Sequence, residues 1–307
     1  MRKAFSEALT KVATENERVI FLTADMGFQV FDDFQTRFGA RYVNVGIAEA
    51  QMTCAAAGLA LAGWRPVIYS IAAFVTGRAF EQIRISVNYQ KLPVVIVGAG
   101  GGYTYASSGV THHAGDDFGL MSLLPGMTVV APGDPNEVAQ LFPQVMELQG
   151  PVYFRIGKYG EQTYTAEEPV LLGRARLLSD GDRVGIISTG DMASVVVDAL
   201  RVLELQGIKP LAYQMHTVKP LDVQTLNLMA DRVNTLIVIE EHGLMGGLGS
   251  ALSLWRSDSG AQCRLLRLGP PDALVLGSPS QVELRQRLNY DVDSLVRMCR
   301  TAWNTAV

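Results

Sequence analysis

Positive charge is not in excess. The 26 Lys and Arg residues face 30 Asp and Glu, a formal net charge of −4 over 307 residues. Duplex binding by displacement of phosphate counterions needs a basic surplus, so nucleic acid is excluded as a bulk electrostatic partner. Long apolar runs are also missing. None reaches the ~18 residues of a spanning helix, and residues 1–20 lack the basic-then-apolar order of a secretory leader. Cysteine is sparse. Cys54, Cys263 and Cys299 are far apart and form no C-x-x-C. The expectation is therefore reduced thiols in a cytoplasmic protein with no membrane partner. Histidine is scarce too, with four in the chain, which makes the adjacent His112 and His113 conspicuous.

Apolar residues are what the chain has: 48% against 18% charged. That is enough for two halves each to bury a core. Short β-branched runs alternate with longer amphipathic stretches. The first half reads as strands at Val19–Ala24, Tyr42–Val45, Pro66–Ile71, Pro93–Val97, Thr128–Ala131 and Val152–Ile156. Helices are expected near 3–15, 48–62, 77–89, 116–123 and 135–148. The segment Lys158–Pro169 is polar, and Ser179-Asp-Gly-Asp182 is turn chemistry. A linker is expected over 161–183, between domains at 1–160 and 184–307. The second half repeats the alternation, with strands at Val184–Ser188, Pro210–Tyr213, Leu236–Glu240 and Arg264–Leu268. Its helices are expected near 192–206, 221–231, 247–256 and 279–288. Continuous apolar strands between helices predict an α/β chain of two domains, each a mainly parallel sheet covered by helices.

Such sheets bind ligands beyond the carboxyl ends of their strands. The loops there carry Asp25, Gly46–Glu49, Phe74, 98–117 and 242–249. Gly98-Ala-Gly-Gly-Gly102 fails as a dinucleotide fingerprint, because G-x-G-x-x-G from Gly98 needs glycine where Tyr103 stands. Unusual φ or close backbone approach is the better reading. His112 and His113 precede Asp116 and Asp117. Adjacent histidines point apart and the spacing offers no third ligand, so no metal site is expected. Ser107 and Ser108 lack a nucleophile elbow. Asp116 and Asp117 suit a helix start. Glu49 opens an apolar helix, where it serves either the helix dipole or a partly buried ligand nitrogen. Glu240-Glu-His-Gly-Leu-Met-Gly-Gly-Leu-Gly249 turns a strand tightly into a helix and reads as packing or interface.

Taken in order, several of these segments look like one family. They are Thr23-Ala-Asp-Met26, Asn44-Val-Gly-Ile-Ala-Glu49, Phe74-Val-Thr-Gly-Arg-Ala-Phe-Glu-Gln-Ile-Arg84, Gly109-Val-Thr-His112, Thr217-Val-Lys-Pro-Leu-Asp222 and the Glu240–Gly249 loop. Over nearly the whole chain they resemble transketolase, specifically its pyrimidine-binding domain followed by its C-terminal domain. The family's Gly-Asp-Gly motif with a later Asn, which holds diphosphate and magnesium, has no counterpart. Its nearest fragment, Asp180-Gly-Asp182, lies in the linker segment. The resemblance therefore implies the small subunit of a split transketolase. An N-terminal-half partner would supply the diphosphate site and the Mg²⁺ ligands for thiamine diphosphate, in an α2β2 assembly.

The implied activity is transfer of a two-carbon ketol unit from a ketose to an aldose. The implied catalytic residues are Glu49, sharing a proton with N1′ of the aminopyrimidine, and His112, facing substrate. Phe74 would stack on the pyrimidine, across a one-residue insertion, and Asp25, Met26 and Ile47 would complete the cofactor contacts. Arg2, Arg78, Ser108, His113 and Lys158 would meet the sugar or sugar phosphate. Ser108 replaces the family's acidic residue, His113 its glutamine, Gly100 a histidine and Lys158 an arginine. Lysine does not reproduce arginine's bidentate fork, so the donor is left open. The alternatives are a β subunit of a 2-oxo acid dehydrogenase-like enzyme, or a non-catalytic assembly subunit.

Overall fold

The computed structural model describes residues 1–158, 161–164 and 169–305. Residues 165–168 of the expected linker, and 159–160 and 306–307, lie outside that set. The strands are β1 (Val19–Thr23), β2 (Tyr42–Asn44), β3 (Arg65–Ile71), β4 (Val95–Ala99), β5 (Thr128–Val130) and β6 (Val152–Ile156). They continue with β7 (Arg176–Ser179), β8 (Arg183–Ser188), β9 (Leu211–Gln214), β10 (Thr217–Lys219), β11 (Val233–Ile239) and β12 (Arg264–Leu268).

Two sheets result, in the orders β10-β5-β6-β4-β3-β1-β2 and β12-β11-β8-β9-β7. All pairings are parallel except at two edges, β10 on β5 and β7 on β9. The chain is thus an α/β protein of two mainly parallel sheets. The central strands are buried on both faces, which is why they read as unbroken apolar runs. Side chains still alternate between the faces. Ile20 and Leu22 enter one core, and Val19 and Phe21 the other. In the second, Phe5 of the first helix meets Phe31, Tyr69 and Phe142 with ring centroids 5.0–5.9 Å apart.

Four elements differ from the sequence pattern. Residues 176–179, expected as linker, form the edge strand β7. Thr217–Lys219 crosses over to extend the first sheet, and Lys219 Nζ donates to the carbonyls of Ser122 and Leu124, at the end of the helix Asp117–Ser122. The helices Asp32–Phe38 and Val292–Thr305 add to the expected set. One apolar cluster runs through this junction, joining Ile96 and Phe118 to Ile187, Met215 and Leu236.

The expected helix at 77–89 is preceded by helical backbone from residue 72 and holds two π-helical stretches, Phe74–Arg78 and Ile83–Asn88, with a turn at Ala79. A π turn takes up an extra residue without breaking the helix. The Gly98–Gly102 loop shows both conformational signatures. Gly100 and Gly102 have φ of +69° and +59°. A Cβ on Gly101 would lie 1.9 Å from Arg155 Nε.

Candidate active site

Glu49 is the first residue of the helix Glu49–Leu61, directly after the loop that follows β2. Its carboxylate is 4% exposed. Oε1 accepts from Ser70 Oγ on β3 at 3.2 Å, and Oε2 lies 3.5 Å from Arg78 Nη1. The Arg78 guanidinium stacks 3.8 Å from the Phe74 ring centroid. Both residues belong to one π turn, so that turn sets the stack. His112 meets Phe74 edge-on, with centroids 4.9 Å apart. Tyr105 lies 5.9 Å beyond His112, and Lys158 Nζ sits 3.8 Å over the Tyr105 ring. Arg2 Nε donates to the Lys158 carbonyl at 2.9 Å.

A continuous row thus runs from the buried carboxylate of Glu49, over an aromatic face, past an imidazole, to two cations. Burial, and then the charges of Arg78, Lys158 and His113, push the His112 pKa below the ordinary histidine value. At neutral pH the ring is therefore mainly uncharged. Its Nδ1 lies 2.9 Å from Thr111 Oγ1.

Six of the expected residues converge in this row: Glu49, Phe74, Arg78, His112, Lys158 and Arg2. Arg78, expected toward substrate, lies against Glu49 and Phe74. The others stand apart from it. Asp25 is exposed at φ +52° and exchanges two 3.0 Å hydrogen bonds with Asn44. The backbone of Met26 is tied to Thr23 Oγ1, and its side chain packs on the second core. Ile47 is 77% exposed, and Ser108 ends an exposed turn. His113 turns from His112 toward Tyr103, at 4.9 Å, as adjacent side chains on a bent backbone do. Ser70 and Tyr105 belong to the row but carried no sequence signal beyond strand alternation and an aromatic in a glycine-rich loop.

Asp116 and Asp117 begin the helix Asp117–Ser122 as expected, Asp116 at the N-cap position without a side-chain cap hydrogen bond. Asp117 is fully buried. It accepts from the Phe118 N–H at 2.8 Å, Tyr153 Oη at 2.7 Å and Arg155 Nη1 at 3.2 Å. A groove of about 1210 Å³ along the first helix is lined by Arg2, Lys11, Asp33, Arg37 and Lys158; it shares Arg2 and Lys158 with the row and does not include Glu49, Phe74 or His112. Among the described residues no helix is long and apolar enough to cross a membrane.

Comparison with known proteins places the chain in a family. The family model "Transketolase, pyrimidine binding domain" matches residues 1–160, and "Transketolase, C-terminal domain" matches 173–294. A "Putative transketolase C-terminal section" of Methanocaldococcus jannaschii is 33% identical over 97% of this chain and 94% of its own length. An apulose-4-phosphate transketolase subunit of Phocaeicola vulgatus is 30% identical, over 98% of this chain and 96% of its own length. A solved split gene transketolase, described as an inactive beta4 tetramer, superposes with a TM-score of 0.90 at 31% identity, covering 100% of this chain and 99% of that one. The chain belongs to the transketolase family, of which it carries the pyrimidine-binding and C-terminal domains.

Proposed function

We propose that this chain is the small subunit of a two-component transketolase, which moves a two-carbon ketol unit from a ketose to an aldose. The observation that carries the reading is the convergence of Glu49, Phe74 and His112 at the carboxyl ends of the strands. The residues fit the aminopyrimidine of thiamine diphosphate. Arg78, a planar nitrogen-bearing group, already makes the two contacts such a ring needs, lying 3.8 Å from Phe74 and 3.5 Å from Glu49.

Thiamine diphosphate, when bound, supplies the nucleophilic carbon that attacks a ketose carbonyl. Glu49 would hold a proton at the ring nitrogen it faces, in a site dry enough for one charge-assisted hydrogen bond to count. Phe74 would carry the ring face. His112, with Nδ1 engaged by Thr111, would offer Nε2 to the substrate carbonyl or hydroxyls. Arg2 and Lys158, at the cationic end, suit a sugar with a distant phosphate. Asp25, Met26 and Ile47 would border the cofactor from the β1 and β2 loops, and Ser108 and His113 would border substrate.

The diphosphate and Mg²⁺ would be held by an N-terminal-half partner, in an α2β2 assembly. Similarity over nearly the full length of a protein named as a transketolase subunit, and to a split-gene tetramer described as inactive, supports that division. The test is ketol transfer by this chain, by the partner and by both together, each with thiamine diphosphate and Mg²⁺. Activity only in the mixture, with aldehyde release from a ketose, is the expected result. Release of CO₂ from a 2-oxo acid instead, or turnover by the chain alone, would overturn the proposal.

A further inference from the structure

The Glu240–Gly249 loop has no part in the reading above. Glu240 closes the start of the next helix, accepting from the N–H groups of Leu248 and Gly249. Glu241 reaches into the other domain. It is 1% exposed. Its Oε1 accepts from the Tyr103 N–H at 2.8 Å and Gln281 Nε2 at 2.7 Å, and its Oε2 from Arg285 Nε at 2.6 Å. Arg285 also donates to Asp191 at 2.7 Å, so the carboxylate is held from behind. Arg155 of the first domain donates to the Glu241 carbonyl at 3.1 Å. Two residues on, the Gly243 N–H donates to the Gly115 carbonyl at 2.7 Å.

Those two grips fall on the neck of one loop. Gly102 and Ala114 form an antiparallel bridge, with the Ala114 N–H donating to the Gly102 carbonyl at 2.8 Å. Residues 102–115 are therefore a closed loop, gripped on either side of its neck by residues 241 and 243. The approach is close. A Cβ on Gly102 would lie 2.7 Å from both the carbonyl oxygen and Oε1 of Glu241. The loop carries Ser108, His112 and His113. Its body is two short 3-10 turns, Ala106–Ser108 and Val110–His112, and near the neck Tyr103 and Ala106 belong to one apolar cluster with Leu284 and Tyr290 of the second domain.

We propose that Glu241 is a positioning residue: braced by Gln281 and Arg285, it fixes the neck of the 102–115 loop and so the place of His112 opposite Phe74. This rests on the reading of His112 as the residue facing substrate. It gives the second domain a part in the site of the first.

The test uses the assembled complex of chain and partner. Glu241→Gln keeps an acceptor for Tyr103 and loses the charge facing Arg285, and Glu241→Ala removes both. Four quantities are measured: amide hydrogen exchange over 103–115, kcat and KM for the ketose, and the Kd of thiamine diphosphate. In Glu241→Ala, exchange in the loop should speed up. KM should rise, and kcat/KM should fall by roughly tenfold to a hundredfold. Glu241→Gln should fall between it and wild type. Cofactor Kd should stay within about twofold, because Glu49 and Phe74 lie on other elements. If the Ala variant does not fold, Glu241→Gln and Gln281→Leu carry the same comparison. Unchanged loop exchange overturns the proposal. So does faster exchange with KM unmoved, or turnover lost only in proportion to folded protein. A wild-type complex without ketol transfer overturns the functional reading instead, and the exchange measurement then decides the grip by itself.

Discussion

Glu49→Gln separates a working carboxylate from a structural one, because the two roles predict opposite pairs of results. The substitution keeps shape and keeps an acceptor for Ser70 Oγ, which now lies 3.2 Å from Oε1. It removes one negative charge that is 4% exposed. Among the described residues that charge has one ion-pair contact, Arg78 at 3.5 Å, and the Arg78 side chain is 51% exposed. A pair so open to water is worth at most about 1 kcal/mol. The helix N-terminus adds roughly 0.3–1 kcal/mol in favour of the charge, and desolvation opposes both. Folding stability should therefore change by no more than about 1 kcal/mol, a melting shift of roughly 2–4 °C. Turnover should respond far more. A positioned acid–base group contributes about 10²–10⁴-fold, or roughly 3–5 kcal/mol of barrier. The assay is ketol transfer by the chain with its partner, alongside thermal unfolding and native mass of the assembly. Turnover within about threefold of wild type would refute the catalytic role. A destabilisation of about 3 kcal/mol or more would make Glu49 a structural residue and refute the reasoning from the other side.

Other perturbations have equally definite outcomes. Arg78→Ala should tighten thiamine diphosphate binding by the complex roughly three- to thirtyfold, the worth of a stacked cation plus an exposed pair that the pyrimidine would otherwise displace; unchanged or weaker binding in a calorimetric titration counts against that competition. Asp117→Ala leaves Tyr153 buried without its acceptor and the Arg155 charge without its carboxylate, with the Glu241 carbonyl still accepting from Arg155. It should cost about 3–5 kcal/mol in urea unfolding, with Asp117→Ala/Arg155→Leu recovering much of the loss; equal losses in both would refute this. His216 is buried, and burial holds its pKa down at about 4. The unfolded chain titrates near 6.5 and so binds more protons between these values. This contribution is complete above about pH 6.5 and is lost as pH falls toward 4, on the order of 3 kcal/mol. Unfolding curves at pH 7.5 and 5 should lie closer together in His216→Asn, and an unaltered gap would exclude the residue as their cause.

Much of the architecture was legible locally. Unbroken apolar strands such as Pro66–Ile71 and Val152–Ile156, spaced by amphipathic stretches, encode a covered parallel sheet, because periods of 2 and 3.6 residues are local properties of a chain. The glycine run was legible too. Tyr103 excluded a dinucleotide turn, and the glycines proved to serve close approach and positive φ. Glu49 at a helix start, Phe74 and the His112 pair were chosen from their places at strand ends and from family resemblance.

What the tertiary structure decided concerns partners far apart in sequence. Thr217–Lys219 is too short to signal a strand, and it becomes one by pairing with β5. Asp117 does open a helix, as its sequence suggests, but its buried partners Arg155 and Tyr153 lie 38 and 36 residues away. The stack of Arg78 on Phe74 beside Glu49 depends on a π turn that residue pattern does not signal. The grip of Glu241 on Tyr103 spans 138 residues. Periodicity fixes which faces are apolar, whereas the partner of a buried charge is set by which loops packing brings together. A lone sequence therefore carries the elements and the candidate carboxylate, and only the folded chain carries the contacts that orient them.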